Sequence, residues 1–392
     1  MLPLKGITVV SLEQAVAAPF ATRQLADLGA RVIKIERPGT GDFARNYDKT
    51  VKGMSSYFVW LNRSKESLTL DLKSPEAKQI LSLLLEQADV LVQNLAPGSV
   101  ERLGYGWKDL RINYPRLIMC NISGYGEDGP YRDKKAYDLL IQCEGGLTSI
   151  TGTEETPSKV GISIADISAG MYAYTGILTA LWTRERTGKG TRVDVSMLEA
   201  LGEWMGHPLY YATFSQREPE RTGLSHATIY PYGPFLSEDN KKVFISIQNN
   251  VEWIKFCSIV LEMSSLANDV CFQDNSLRVK NRAQLQSIIE SVFNNLTFEE
   301  ILKRLEVAQI ANAQMKTVRE FAEHPQLKAR DRWRTVDSPV GLLPTLIPPA
   351  QLEGMDYMLK PIPTLGGDTI SILQELGFSL DTIEQWRSES II

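Results

Sequence analysis

The chain has 392 residues, with 42 lysines and arginines against 47 aspartates and glutamates, a formal net charge of −5. This mildly acidic balance excludes general nucleic-acid binding, which needs a basic face to neutralise phosphates, but leaves room for a local cluster around one anion. At 43% hydrophobic and 23% charged residues the composition is that of a globular protein long enough for two domains.

The first 200 residues alternate β-branched runs with helical patterns. Ile7 to Leu12 reads as a strand, Phe20 to Leu28 as a helix ended by Gly29, and Arg31 to Ile35 as the next strand, before a Pro-Gly-Thr-Gly turn at Pro38 to Gly41. Ser67 to Leu72 is a strand, and Ser74-Pro75 supplies an N-cap and first-turn proline for a helix through Glu86. Val90 to Asn94 and Leu117 to Asn121 are further buried strands. Such alternation predicts a mostly parallel, doubly wound sheet, with ligands beyond the carboxyl ends of its strands. A long helix from Asp166 to about Arg186 follows, then a Thr-Gly-Lys-Gly turn, the strand Arg192 to Met197 and a helix from Leu198 to Ala212. Ser215 to Gly223 reads as a linker. Up to Ala329 the pattern is one strand, Val243 to Ile247, plus several helices; a proline-rich tail ends in two short helices.

No membrane span is expected: the longest uncharged helical stretch, Ile167 to Thr183, carries Ser, Gly, Thr and two Tyr, where a span needs about 20 mostly apolar residues. Glu13 interrupts the apolar start, so Met1 to Thr22 does not read as a signal peptide. Cys120, Cys143, Cys257 and Cys271 form no C-x-x-C and read as reduced thiols of a cytoplasmic protein. His207, His226 and His324 lack metal-ligand spacing, so no metal site is expected.

Three constellations could carry chemistry. Gly124-Tyr125-Gly126-Glu127-Asp128-Gly129 matches G-x-G-x-x-G after a strand, yet Pro130 and the charged Arg132 to Lys135 follow where a helix is required, so it reads as a loop near the ligand rather than a dinucleotide site. Basic residues gather at Arg31, Lys34, Arg37 and Arg45; at Arg132, Lys134 and Lys135; and at Arg184, Arg186, Lys189 and Arg192. Each group is either a solvated face or, at strand ends, a cradle for a polyanion. Asp166, in Gly161-Ile162-Ser163-Ile164-Ala165-Asp166-Ile167-Ser168-Ala169-Gly170-Met171, is either an N-cap or a carboxylate nucleophile with small neighbours, kept ionised by the helix start.

At these residues the chain resembles the family III CoA-transferases, the CaiB/BaiF group. The segments carrying the likeness are "LKGITVVSLEQAVAAPFAT", "LADLGARVIKIERPGTGDFAR", "NRSKESLTLDLKSPE", "DVLVQNLAPGSVERLG", "ISGYGEDGPY", "KAYDLL", "DISAGMYA" and "RERTGKGTRVDVSMLEAL", in this order. The resemblance implies an α/β fold: a Rossmann-like, doubly wound large domain built from both chain ends, and a smaller α+β domain, in an interlocked homodimer. The expected boundaries are 1–221 for the amino-terminal part of the CoA-binding domain with its linker, 222–329 for the small domain, and 330–392 for the remainder.

The implied activity is acyl-CoA:carboxylate CoA transfer, with a CoA thioester as substrate and no tightly bound cofactor or metal. Asp166 aligns with the family's nucleophile, Tyr137 with an active-site tyrosine beside it, whose bland reading is a packing residue at a helix start. Val16 would line the thioester end, while Arg37, Lys73, Asn94, Arg102 and Lys135 would contact CoA. The segment Arg221 to Phe235 resembles members acting on small dicarboxylates such as itaconate, mesaconate, citramalate or succinate. Arg221 and His226 could then neutralise a distal carboxylate, or His226 could be a hydrogen-bonded residue at the domain junction. Gln248-Asn249-Asn250 stands where the formyl/oxalyl branch has a tetraglycine lid. The same fold houses 2-methylacyl-CoA racemases, which need a histidine where this chain has Tyr137; a tyrosine with an ordinary pKa near 10 is a poor base at pH 7. A non-catalytic acyl-CoA-binding protein would have no need of Asp166.

Overall fold

Six short strands rich in Val, Ile and Leu form one sheet: β1 Thr8–Leu12, β2 Arg31–Glu36, β3 Lys65–Thr69, β4 Val90–Gln93, β5 Ile118–Ser123 and β6 Arg192–Ser196. The computed structural model describes residues 2–355, 357 and 359–392. The strand order is β3-β2-β1-β4-β5-β6 and every neighbouring pair is parallel. A parallel sheet is covered on both faces, which is why its strands read as continuous apolar runs. Val9, Val32, Val92, Ile118 and Cys120 face a layer containing the helices Ala17–Asp27 and Ile164–Thr187. Val10, Ile33, Ile35, Leu91 and Met119 face the helix Pro75–Gln87 and two helices from the far end of the chain, Thr369–Glu375 and Leu380–Ser388.

The chain steps outward from β1 to β3 and then returns to β4 on the other side of β1. The crevice between the carboxyl ends of β1 and β4 is therefore the switch point where such sheets bind ligands. Loops 13–16 and 94–98 form its two lips.

Two compact units emerge: one holds residues up to Leu147, Val160–His207 and Ala329–Ile392, the other Thr148–Lys159 and Pro208–Lys328. The second unit contains a three-stranded antiparallel sheet, β7 Tyr232–Leu236, β8 Lys242–Ser246 and β9 Ala311–Gln314, where the sequence pattern shows only one strand. β7 contains Gly233 and Pro234 and β9 is Ala-Asn-Ala-Gln, so neither has a strand-forming composition; pairing with β8 decides both. The helices Arg282–Phe293 and Phe298–Ala308 bury Leu285, Ile289, Phe293, Ile301 and Leu305 in this unit's core. In the first unit, the proline-rich tail adds a hairpin, β10 Trp333–Val336 with β11 Leu343–Leu346. The helix expected over 198–212 is two helices, Met197–Trp204 and Gly206–Ser215, parted at Met205, because Pro208 has no N–H to donate to the Trp204 carbonyl.

Candidate active site

Asp166 is the third residue of the 24-residue helix Ile164–Thr187, so it is not the N-cap that its position in the sequence invites. Ser163 occupies the N-cap and contributes no side-chain bond. The cap comes from a distance: Asp138 Oδ1 accepts the backbone N–H of Ala165 at 2.8 Å and of Asp166 at 3.3 Å. Asp138 Oδ2 accepts from Gln142 Nε2 at 2.7 Å, and Gln142 Oε1 in turn accepts from Val160 N at 3.0 Å. Sequence reading missed Asp138; its one signal is its place beside Tyr137 in "KAYD".

The Asp166 carboxyl is half-buried. Burial, and then the negative charge of Asp138, raise its pKa to about 7. Desolvation and a like charge therefore act against the field of the helix start, which favours the ionised form. Around it Ala165, Ser168, Ala169 and Gly170 are buried, and none has a side chain large enough to cover the carboxyl.

Gly170, one turn further on, brings the first loop to this place. A Cβ there would lie 2.7 Å from the Ala17 carbonyl oxygen, so only glycine lets the helix Ala17–Asp27 approach so closely. Val16, buried, is the N-cap of that helix, whose first N–H groups receive no side-chain cap. Ala15 before it has φ +63°, the left-handed region that non-glycine residues rarely adopt. The strain is held from both sides: Asp42 Oδ1 accepts Ala15 N–H at 3.1 Å, and the Asn94 amide makes a reciprocal pair with the Gln14 backbone at 2.8 and 2.9 Å. Asn94, expected as a CoA contact, thus clips the two lips of the switch-point crevice together. Beneath them lies a buried charge network. Lys34 bonds Glu13 and Asp42, and Lys65 bonds Glu13 at 2.7 Å. Despite burial, which acts the other way, Lys34 and Lys65 hold the Glu13 carboxyl down to about 2.

No helix begins after Gly129; the next starts at Asp138, so the glycine run has no dinucleotide geometry. Gly124 has a different purpose. A Cβ there would come within 2.2 Å of Ala136 Cβ, so the glycine lets the segment before Tyr137 lie against the end of β5. Tyr137, at the N-cap of the helix Asp138–Glu144, is 65% exposed, which does not fit a packing residue. A second phenol joins it. The Tyr47 hydroxyl is pushed up to about 12 by burial and by the fields of Asp42, Asp166 and Tyr137, which places it within electrostatic reach of both site residues. Nothing in "FARNYD" marks Tyr47 in the sequence.

The basic clusters separate once folded. Arg31 pairs with Glu66 and Glu375, Lys34 with Glu13 and Asp42, and Arg45 with Glu36, leaving Arg37 exposed just after β2. Lys134 pairs with Glu144 and lies over the Tyr125 and Tyr131 rings. The third cluster lies at the wrong edge for a ligand: Gly190 packs against the Leu117 carbonyl before β5 begins, and Arg184 pairs with Asp89 before β4. Its reading as a polyanion cradle is corrected accordingly. Arg37, Lys73 and Lys135 are exposed in the loops that follow β2, β3 and β5, Arg102 is exposed at the end of the short helix Ser99–Arg102 after β4, and among the described residues none of them has an ion pair. Arg102 is joined by Arg132: a Cβ on Gly98 would lie 2.9 Å from one guanidinium and 3.7 Å from the other.

Arg221 and His226 belong to the second unit. The Arg221 guanidinium donates to the carbonyls of Ser149, Thr153 and Glu154 at 3.0, 2.9 and 2.6 Å. His226 Nδ1 accepts from Thr228 N and Ile229 N, and the ring stacks on Tyr232 at 5.1 Å. Both side chains are thus engaged in holding local backbone.

This arrangement can present one carboxylate and a row of free cations on the carboxyl edge of a parallel sheet. The comparisons with known proteins agree with it. The model of "CoA-transferase family III" matches residues 4–369. A mouse succinyl-CoA:glutarate CoA-transferase is 33% identical over 96% of this chain and 87% of its own length. The Agrobacterium fabrum succinate–glutarate CoA-transferase is 30% identical, covering 98% and 97%. A solved CaiB/BaiF family protein from Brucella suis superposes with a TM-score of 0.83 at 32% identity, covering 95% of this chain and 99% of that one. With its fold, its edge of unpaired cations and this similarity along the full length, the chain belongs to CoA-transferase family III and is a CoA-transferase.

Proposed function

We propose that the protein moves CoA from succinyl-CoA to a C4–C5 dicarboxylic acid, with Asp166 as the nucleophile. The observation that carries this reading is the Asp166 carboxyl itself: half-buried among small residues, more basic than an ordinary aspartate, and next to the ligand edge of the sheet. An ionised Asp166 oxygen attacks the thioester carbonyl and expels CoA thiolate, leaving an aspartyl–acyl mixed anhydride. The thiolate then attacks the aspartyl carbonyl, releasing the donor acid and forming an aspartyl-CoA thioester. The acceptor carboxylate repeats the two steps in reverse order and leaves as the new acyl-CoA. No net proton is consumed, so positioning and oxyanion stabilisation suffice. Uncapped N–H groups at the start of the Ala17–Asp27 helix are suited to the second task.

Arg37, Lys73, Arg102 and Lys135 supply the positive charge for the CoA phosphates, and Val16 borders the thioester end. Arg221 and His226 are left out of the proposed substrate contacts, because their polar groups hold the 149–154 and 228–229 segments. The dicarboxylate substrate class draws on relatives named for succinate, glutarate and citramalate. An interlocked homodimer in the cytoplasm completes the reading. The test mixes the protein with succinyl-CoA and a panel of carboxylic acids and follows CoA esters by mass. The reading stands if a C4–C5 dicarboxylate acquires CoA and hydroxylamine traps a hydroxamate at Asp166. It falls if no acid acquires CoA while solvent deuterium enters the α-carbon of a 2-methylacyl-CoA.

A further inference from the structure

The first turn of a helix leaves N–H groups without intrahelical partners, and a serine at the N-cap ordinarily satisfies one. Here Ser163 does not, and the carboxylate of Asp138, well before it in the chain, does so twice, at Ala165 and Asp166. The choice of a carboxylate is unfavourable in one respect, since it sets a second negative charge beside Asp166. A neutral cap would satisfy the same N–H groups without that repulsion. Asp138 is also fixed on its other oxygen by the buried Gln142, which is itself anchored to Val160 N. A chain of three oriented hydrogen bonds therefore connects the helix Asp138–Glu144 to the turn that presents Asp166.

We propose that Asp138 is a positioning residue, its carboxylate, aimed by Gln142, seating the first turn of the Ile164–Thr187 helix and so directing the Asp166 oxygen toward the thioester. The proposal rests on Asp166 being the nucleophile. Its charge adds a second effect: by disfavouring ionisation of its neighbour it makes the Asp166 oxygen more basic, hence a better nucleophile once ionised. The other titratable groups around Asp166 do not duplicate this. Tyr137 and Tyr47 are phenols. Arg23 and Asp27, on the helix packed alongside, pair with each other and with Arg63. Glu199, on the helix Met197–Trp204, is bonded to Ser196; Glu144 pairs with Lys134; Arg192 and Asp194 on β6 pair together.

The experiment follows acyl-Asp166 formation from succinyl-CoA by hydroxylamine trapping, in single turnovers across pH 5–9, with calorimetric CoA binding measured alongside. D138N keeps one acceptor for the N–H groups but turns an amide toward the Gln142 amide, so two donors face each other. D138N is expected to slow trapping about tenfold to a hundredfold, the scale of a misdirected nucleophile, with CoA affinity changed less than twofold. Its acid limb should move to lower pH. Adding Q142E restores an acceptor opposite the new donor, and the double variant should recover about tenfold of the rate. Q142L, which removes the aiming bond and its Val160 anchor but leaves both Asp138 caps in place, should give an intermediate loss and serves if D138N does not fold. Wild-type rate and pH profile in both D138N and Q142L, or a loss in D138N that Q142E does not relieve, overturns the proposal. Absence of any hydroxamate at Asp166 in the wild-type protein instead removes the nucleophile assignment beneath it.

Discussion

Asp166 holds its carboxyl half-buried in the first turn of the Ile164–Thr187 helix. The carboxyl sits at about 7 because burial and Asp138 both disfavour its charge. An acid raised in this way has its unfavourable folded-state ionisation fully expressed above about pH 7 and absent below about pH 4. D166N should therefore abolish CoA transfer and yet be more stable than wild type at pH 8, by on the order of 1–2 kcal/mol after discounting for partial solvation, with the gap closing by pH 4. Thermal melts across that range check the sign. The two guanidiniums meeting over Gly98 lead to a second expectation. Like charges held so close are relieved by an anion, and a charge-assisted hydrogen bond contributes roughly 1.5–3 kcal/mol. R132Q should raise the KM for succinyl-CoA about tenfold and leave that for a succinyl-pantetheine thioester, which has no phosphate, unchanged; equal effects on both would exclude a phosphate contact.

At the scale of elements, the strained loop 13–16 depends on charges folded beneath it. Glu13 accepts from Lys34 and Lys65, Asp42 from Lys34 and Ala15 N–H. A carboxyl held at about 2 rather than its ordinary 4.5 stabilises the folded state at all pH values above about 4.5, and that stability is lost as pH falls toward 2. Urea midpoints should accordingly drop steeply over this window. E13Q should flatten that slope while lowering stability at pH 7 by about 3–5 kcal/mol, the scale for removing one partner from a buried ion network. The strands and helices themselves were mostly legible, because parallel strands buried on both faces have apolar runs and helices carry Ser-Pro or Gly boundaries. β7 and β9 were not, since Gly-Pro and Ala-Asn-Ala-Gln have no strand propensity of their own and take it from β8.

For the whole molecule, the helix carrying Asp166 leaves Trp182 65% exposed, and in the second unit Leu209, Tyr210 and Phe214 are 60%, 67% and 78% exposed. Side chains this large and apolar are costly to leave in water, which accords with the proposed homodimer. Light scattering should show a dimer for the wild-type protein. W182E should shift the population toward monomer; an unchanged dimer would remove this face from the interface.

Residue types and their order along the chain were enough to determine the parallel α/β architecture, the family and the candidacy of Asp166, because these rest on local periodicity and on motifs contiguous in sequence. The sequence likewise marked Arg37, Lys73, Arg102 and Lys135, but as members of clusters that looked alike. Only the tertiary structure decided which cations remain free at the ligand edge, because neutralisation of Lys34, Arg45 or Arg184 depends on carboxylates delivered by other elements. It also decided that Asp138 caps the helix carrying Asp166 and that Gly124 and Gly170 serve close packing. Those are contacts between segments distant in sequence, and no local pattern encodes them.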